Sequence, residues 1–292
     1  MITFTISIYL FYFEFSKYFK IKTKNELLID TSKGSDKLIV NLNITLHKLP
    51  CEILSLDISD FTGEHTLNII DQLKKKKLNN EGKVIGDFIY NKNEKINVEK
   101  IEEMFIKGEG CNLIGKFTIR RTPGNFHLST HAFGDTIKQL LFRGNILKYN
   151  LSHTINHLSF GNDNNISIIK SKFNNIDFIT PLDNKFNLDE IDGKIFEYYL
   201  NIIPTEYIDL EKNKYNIFQF TVNNINIQSG MLIPTIFFRF NISPILLRYT
   251  HFITNQFESW INVCAIIGGL FTLMSIFNSI MLKIFKKDKI KK

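Results

Sequence analysis

The sequence has few of the residues and motifs on which enzymes rely. Its 292 residues include three cysteines, one tryptophan and six prolines. The cysteines form no Cys-x-x-Cys pair, and no cysteine and histidine spacing matches a zinc finger. Phosphate-binding loops, dinucleotide-binding glycine patterns and Gly-x-Ser-x-Gly elbows are also missing. These absences argue against an enzyme, and we expect no catalytic residue, no resident metal and no cofactor.

The net charge of +7 does not produce the pattern of a nucleic-acid-binding surface. Lysines cluster at Lys74 to Lys77 and at the C-terminus, and the remainder are scattered along the chain. No aromatic stacking residues are interleaved with these clusters. We therefore expect no nucleic-acid partner.

A long uncharged run lies near the C-terminus. Residues 259–282 contain no charged side chain and are bounded by Glu258 and Lys283. A run of this length spans a bilayer as a helix. The lysines after it outnumber the single aspartate, so the positive-inside rule places this end in the cytosol. We predict a transmembrane helix over 257–284 and a basic cytosolic tail over 285–292.

The N-terminal apolar segment is shorter. Residues 1–13 are apolar, but Glu14 and Lys17 come before the roughly 20 residues that a span requires. The segment is either a first transmembrane helix that lacks its start or the apolar part of a signal peptide, and no small-residue cleavage site comes after it. Both interpretations place the middle of the chain in the lumen. We favour a truncated first transmembrane helix over 1–20 and a lumenal domain over 21–256.

Alternation of apolar and polar residues predicts a mainly β lumenal domain. From Val40 to Leu46 the alternation has a strict period of two, which is typical of a half-buried strand. Similar runs occur at 54–58, 113–119, 196–203, 217–222 and 233–240. Several short strands of this kind predict an antiparallel β-sandwich. Residues 74–100 and 160–192 are rich in Asn, Asp and Lys with weak periodicity, and these segments predict loops or insertions.

Two histidine pairs are spaced four residues apart, His127 with His131 and His153 with His157. On a helix this spacing suits a metal ion, but the surroundings predict strand or loop. Residues four apart on an extended chain lie about 13 Å from each other. We therefore expect surface or packing histidines.

Three acidic residues, Asp57, Asp60 and Glu64, suggest either a calcium site or an acid–base cluster. A solvated strand face that ends in a turn at Gly63 explains the same residues. We favour this second explanation.

Sequons for N-glycosylation stand at Asn43, Asn150 and Asn165 in the predicted lumenal segment. A fourth sequon at Asn241 is weakened by the Pro244 beside it. Because sequons arise by chance in an Asn-rich chain, these sites are compatible with a lumenal location without establishing it.

Six sequence blocks carry a resemblance to a known family. The blocks are LPCEILSLDISDFTGEH (49–65), EGCNLIGKFTIRRTPGNFHLSTH (109–131), SHTINHLSFG (152–161), YYLNIIPTEY (198–207), IPTIFFRFNISPILLRYT (233–250) and VCAIIGGLFT (263–272). Through these blocks the chain resembles the endoplasmic reticulum–Golgi intermediate compartment (ERGIC) proteins and the Erv-type vesicle cargo receptors. Within that family it is most similar to the smaller ERGIC members.

The resemblance implies an architecture and a location. It implies a lumenal antiparallel β-sandwich flanked by two transmembrane helices, with both termini in the cytosol. It also implies residence in the membranes of the endoplasmic reticulum, the intermediate compartment and the Golgi. Cycling in COPII and COPI vesicles and assembly with related family members are implied by the same resemblance.

The function that we expect is binding or sorting of secretory cargo, with the cytosolic tails contacting the COPII and COPI coats. One alternative is a structural subunit that stabilises a related cargo receptor without touching cargo. A lumenal enzyme is the third class, and the missing motifs argue against it.

Two segments are candidates for the surface that contacts cargo or a partner. The residues are Gly124, Asn125, Phe126, His127, Ser152, His153 and His157. Gly124 suits a turn with unusual backbone angles, and Phe126 would anchor the contact. The alternative is that both segments maintain the sandwich.

A disulfide is expected between Cys51 and Cys111, the two cysteines of the lumenal segment. Each lies beside a β-like block. Cys264 lies inside the C-terminal span and is expected to be a packing residue.

Overall fold

The computed structural model describes most of the chain. The described residues are 20–31, 37–69, 73–89, 97–143, 149–173, 178–228, 233–253 and 256–290, with residues 5, 8–13 and 16. Contacts divide the chain into two compact units. The larger comprises residues 27–207 and 215–248, and the smaller comprises residues 1–26, 208–214 and 249–292.

The described part of the chain contains fourteen strands. In chain order they are β1 (Lys22–Ile29), β2 (Lys37–Leu46), β3 (Ser55–Asp60), β4 (His65–Thr66), β5 (Leu73–Leu78), β6 (Val84–Phe88), β7 (Gly110–Arg120), β8 (Gly124–Ser129), β9 (His153–Phe160), β10 (Lys185–Asn187), β11 (Lys194–Ile208), β12 (Lys214–Gln228), β13 (Ile236–Ile242) and β14 (Ile245–Phe252). The helices are α1 (Val98–Lys107), α2 (Gly134–Phe142), α3 (Asp163–Lys172) and α4 (Gln256–Ile290), with a 3₁₀ turn at His131–Phe133.

The strands form two sheets. The first has the order β1-β14-β11-β13-β8-β3-β4, with β12 also paired to β11. The second has the order β10-β9-β2-β7-β5-β6. The mainly β prediction is confirmed, but the arrangement is not fully antiparallel, because β11 and β13 pair in parallel. The intervening strand β12 reverses the chain, so β13 runs in the same direction as β11.

One core lies between the two sheets, in the larger unit. Strand β2 supplies Val40, Leu42, Ile44 and Leu46, each at most 2% exposed. Their polar neighbours lie on the opposite face, as the period of two predicts. Full burial of an aliphatic side chain stabilises by about 1.5–3 kcal/mol. The alternating pattern therefore predicts which face of β2 packs in the core between the two sheets.

The two segments predicted as loops contain regular structure. Residues 74–100 hold most of the β5–β6 hairpin and the start of α1, and residues 160–192 hold α3 and β10. Helix α1 begins after Asn97, whose side chain accepts a hydrogen bond from the Lys100 amide, and it ends at Gly108 with a left-handed φ of 67°. The loop prediction was wrong here, because pairing with β7 and the caps of α1 outweigh weak periodicity.

Helix α4 contains a candidate membrane span. Residues Trp260–Lys283 form a 24-residue segment with a mean hydropathy of 1.9, and 6% of its most apolar window is buried. Among the described residues this is the one helix long and apolar enough to cross a bilayer. The predicted first transmembrane helix over 1–20 lies largely outside the described residues.

Candidate functional site

Strand β8 carries the Gly124 to His127 segment and lies between β13 and β3 in the first sheet. Gly124 does not adopt a positive φ, so the expected turn is not the reason for this glycine. A Cβ at this position would lie 2.8 Å from the carbonyl oxygen of Ser59. The close approach of β3 therefore requires glycine here.

Phe126 lies in the core. Its side chain is 0% exposed. The ring stacks on Phe238 of β13 at a centroid distance of 4.8 Å and meets Phe117 of β7 edge to face at 5.2 Å. Phe238 in turn stacks on Tyr198 of β11 at 4.9 Å. These rings form a continuous aromatic column across three neighbouring strands, with Phe117 contributed by the opposite sheet.

His153 of β9 connects the second sheet to this column. Its Nδ1 lies 2.8 Å from the Leu151 carbonyl oxygen, and its Nε2 lies 2.7 Å from the Tyr198 hydroxyl. A carbonyl only accepts, so Nδ1 carries the proton and Nε2 accepts from the tyrosine. The two candidate segments therefore meet in the interior, through Phe126, Phe238, Tyr198 and His153.

The neutral His153 ring predicts a dependence of stability on pH. Burial lowers its pKa from 6.5 to about 4, and His47 is the nearby titratable group that adds to this effect. The unfolded chain binds the proton more tightly, so the stability is complete above about pH 6.5 and is lost as pH falls towards about 4. The expected loss is about 3 kcal/mol in total.

Chemical unfolding of the full chain at several pH values in this window measures the loss. His153→Gln removes the titrating group, so its stability should decline less steeply than that of the wild type. Parallel declines in the two proteins would contradict the assignment.

His157 lies on the other face of β9 from His153. The register between β9 and β2 shifts between Asn43 and Ile44, which leaves Asn156 as an extra residue on β9. His157 Nδ1 lies 2.9 Å from Asp183 Oδ2, and the side chain is 34% exposed. Because the bulge separates the two faces, this histidine pair does not come together.

Burial bears directly on the expected contact surface. Phe126, His127, Ser152 and His153 are each at most 4% exposed, whereas Gly124, Asn125 and His157 are partly exposed. A binding partner reaches few atoms of the first group. The arrangement favours the alternative in which these two segments maintain the sandwich.

The other histidine pair does come together. The His127 side chain lies on the face of β8 opposite the core. Strand β8 ends at Ser129, and a 3₁₀ turn begins at His131. The two ring centroids lie 5.6 Å apart, and Asp57 of β3 lies beside them. The expectation of a separation of about 13 Å was wrong, because it assumed extended backbone throughout. Ser129 and Thr130, which favour turns, were the sequence signal for this change.

Asp60 closes a turn, as the second explanation expects, but the strand face before the turn is not solvated, because Asp57 is 0% exposed. Its Oδ1 accepts hydrogen bonds from the Thr62 and Glu64 amides and from the Thr62 hydroxyl. Its Oδ2 lies 3.0 Å from Arg120. These contacts, led by the Thr62 hydroxyl, lower the pKa of Asp60. Both oxygens are thus engaged in holding the turn.

The cysteine arrangement is simple. Cys51 and Cys111 are joined by a disulfide with Cα atoms 4.9 Å apart, and both side chains are buried. Cys51 lies in the turn before β3, and Cys111 lies in β7, so the bridge connects a segment leading into the first sheet with the second sheet. Cys264 of α4 is free and exposed.

The asparagine side chains of the three sequons differ in their exposure and in their hydrogen bonds. Asn150 is 7% exposed, and its Nδ2 donates to the Asp189 carbonyl oxygen at 2.7 Å and to Asp192. Asn165 lies in the first turn of α3, where its Nδ2 donates to the Asn216 carbonyl oxygen at 3.1 Å. Asn43 lies on the outer face of β2, where its Oδ1 accepts from two neighbouring asparagines.

We expect glycan attachment at Asn165 and none at Asn150 in the folded protein, since a glycan at Asn150 would break one buried and one partly buried hydrogen bond. Endoglycosidase digestion of the expressed chain and subsequent gel electrophoresis test this. Asn165→Gln should remove a mobility shift that Asn150→Gln leaves in place, and the reverse pattern would contradict the prediction.

Comparison with known proteins gives consistent matches. Residues 89–278 match the family model described as Endoplasmic reticulum vesicle transporter, and residues 1–67 match the one described as Endoplasmic Reticulum-Golgi Intermediate Compartment (ERGIC). The Endoplasmic reticulum-Golgi intermediate compartment protein 1 of Xenopus laevis is 32% identical, over 93% of this chain and 81% of that protein. The ER-derived vesicles protein ERV46 of Saccharomyces cerevisiae is 23% identical, over 80% of this chain and 78% of that protein.

A solved structure shares the fold. The crystal structure of Erv41p superposes with a TM-score of 0.53 and 19% sequence identity, covering 77% of this chain and 99% of that chain. At this identity the likeness shows the fold alone.

Proposed function

The chain belongs to the endoplasmic reticulum vesicle transporter family, and from this premise we propose that its sandwich binds or sorts secretory cargo in the lumen together with a related family member. The family acts in transport between the endoplasmic reticulum and the Golgi, and the protein is a component of those membranes. The matches over both 1–67 and 89–278 carry this proposal.

The topology that we propose places the sandwich and the tail on opposite sides of the membrane. The apolar span Trp260–Lys283 is followed by a lysine-rich end, which the positive-inside rule assigns to the cytosol. Strands β1 to β14 precede the span, so they lie in the lumen with the cargo. The cytosolic tail is then the segment available to COPII and COPI coats. We propose no catalytic activity for the lumenal domain.

We propose that the functional unit is a hetero-oligomer with a related family member. The similarity to ERV46 and the fold shared with Erv41p support such an assembly. A second function, support of a related receptor without cargo contact, is favoured by one observation. The segments expected to contact cargo contribute mainly buried side chains, such as Phe126 and His153, to the core.

Proximity labelling from inside the lumen tests the two functions. The turn between β5 and β6 suits a labelling tag, since Glu81 and Gly82 are exposed and an insertion at a hairpin tip disturbs no core contact. Enrichment of secretory cargo that persists after depletion of the related family member supports the cargo-binding function. Enrichment of that member alone supports the structural function, and enrichment of neither contradicts both.

A further inference from the structure

A cluster of metal-ligating side chains lies on the outer face of the first sheet. Asp57 of β3 and His127 of β8 are direct cross-strand partners. His131 comes after β8 in the 3₁₀ turn. One ligand atom from each of these residues lies within 4.8 Å of the other two. The register and the turn together bring three potential ligands from distant sequence positions to one point.

The hydrogen bond to Asn125 determines which ring nitrogen of His127 carries the proton. Nδ1 lies 3.0 Å from the side-chain oxygen of Asn125, which only accepts, so Nδ1 carries the proton. Nε2 is then left with a lone pair, and it lies 3.6 Å from Asp57 Oδ2. A nitrogen lone pair thus faces a carboxylate across a space that a cation would fill.

The Asp57 carboxylate is fully buried and rigidly held. Ser55 and Ser129 hydroxyls donate to Oδ2 at 3.2 and 3.1 Å, and the Asn68 amide donates to Oδ1 at 2.7 Å. Among the residues that the structure describes, His127 is the one basic side chain with a nitrogen within 4.0 Å. The charge of Lys75 interacts with that of Asp57, but the Lys75 amine donates to the Cys51 and Leu54 carbonyl oxygens, so no described lysine or arginine nitrogen lies within 4.0 Å of the carboxylate. A bound metal ion would contact the carboxylate directly.

The cluster is open to solvent on one side. His131 is exposed, and so is His65 of β4, whose ring centroid lies 5.6 Å from that of His127. The two buried side chains, Asp57 and His127, are fixed in position, and the two exposed histidines leave the site accessible to an ion from solvent. The exposed imidazoles can rotate towards an entering ion while Asp57 and His127 stay fixed.

We propose that Asp57, His127 and His131 bind a divalent metal ion of the zinc class, with His65 as the fourth ligand. Imidazole nitrogens with one carboxylate suit zinc and its transition-metal neighbours, whereas calcium and magnesium prefer oxygen ligands alone. Tetrahedral zinc holds its ligand atoms about 3.3–3.6 Å apart, given bond lengths of roughly 2.0–2.2 Å. The gap between Asp57 and His127 is already close to that spacing.

The side chains that hydrogen-bond to the proposed ligands have the features of a metal site. The Asn125 side-chain oxygen accepts a hydrogen bond from Nδ1 of His127, and two serine hydroxyls orient the Asp57 carboxylate. Partners of this kind fix the orientation and basicity of metal ligands. The ion would tie β3, β4 and the turn after β8 together, which is independent of cargo binding.

Zinc titration of the full-length protein in detergent tests the proposal, with a histidine-free affinity tag and prior dialysis against a chelator. We expect one zinc ion per chain with an affinity tighter than about 1 µM, measured by competition with a fluorescent chelator. His131→Gln should weaken binding by at least about 100-fold, which is the upper end of the loss expected when a residue that only hydrogen-bonds to a metal ligand is replaced. His131→Asp, which keeps a ligand atom, should retain most of it.

The matched control is His47→Gln, which changes a partly buried histidine directly after β2 of the other sheet and should leave the affinity unchanged. Wild type and His131→Gln should unfold at the same temperature in chelator, and zinc should raise that temperature for the wild type alone. Absence of saturable binding, or equal binding by His131→Gln, overturns the site. Unchanged affinity of His65→Gln overturns the fourth ligand.

Discussion

Replacing Phe126 with alanine is expected to lower the free energy of unfolding by about 4 kcal/mol. The ring is 0% exposed and stacks on Phe238 at 4.8 Å, while Phe117 of the opposite sheet meets it at 5.2 Å. Truncation removes the packed ring and leaves a cavity between two hydrogen-bonded sheets. Neither sheet can collapse into that space without breaking its register.

Guanidinium chloride unfolding of the detergent-solubilised chain measures this effect. Phe142→Ala is the matched control, because this ring on α2 is 91% exposed and its loss should change stability by at most about 0.5 kcal/mol. Phe126→Leu should fall between the two. A loss below about 1.5 kcal/mol for Phe126→Ala would mean that the aromatic column repacks around the gap.

The strands that carry most of the core were predictable from the sequence. Residues 40–46 form the C-terminal part of β2, and 113–119, 196–203 and 217–222 lie inside β7, β11 and β12. Each of these runs alternates or is rich in β-branched and aromatic residues because one of its faces is buried. At these strands the local sequence therefore predicts which residues are buried.

The β5–β6 hairpin was not predictable in the same way. Four consecutive lysines form most of β5, and a run of charge resembles a solvated loop. The structure buries Lys75, whose amine donates to the carbonyl oxygens of Cys51 and Leu54, and burial lowers its pKa to about 8. Its acceptors come from a segment more than 20 residues away, so no local pattern reveals them.

In the candidate sites, too, some features follow from neighbouring residues in the sequence and others from contacts between distant segments. The spacing of His127 and His131 is visible in the sequence, but their approach depends on the 3₁₀ turn that begins at His131. Asp57 joins them only through the pairing of β3 with β8. Gly124 was expected at a turn, yet the backbone of β3 explains it. Contacts between segments that are distant in the sequence determine both the histidine cluster and the need for glycine at position 124.

Removing the disulfide with Cys51→Ala and Cys111→Ala together is expected to lower the free energy of unfolding by about 4 kcal/mol. The bridge closes a loop with a sequence separation of 60 residues, and loop closure restricts the unfolded chain. Because both sulfurs are buried, the substitution also leaves small cavities beside β7. The full loss should appear as a lower denaturant midpoint with little change in native secondary structure.

Cys264→Ala supplies the matched control, since this cysteine is free and exposed on α4, the helix that contains the candidate membrane span. Its unfolding midpoint should equal that of the wild type, and the unreduced wild-type chain should incorporate alkylating reagent at this thiol alone. After reduction under denaturing conditions, Cys51 and Cys111 should also be alkylated, which changes the gel mobility. Equal midpoints for the double variant and the wild type would show that sheet pairing, and not the covalent link, holds the Cys51 turn against β7.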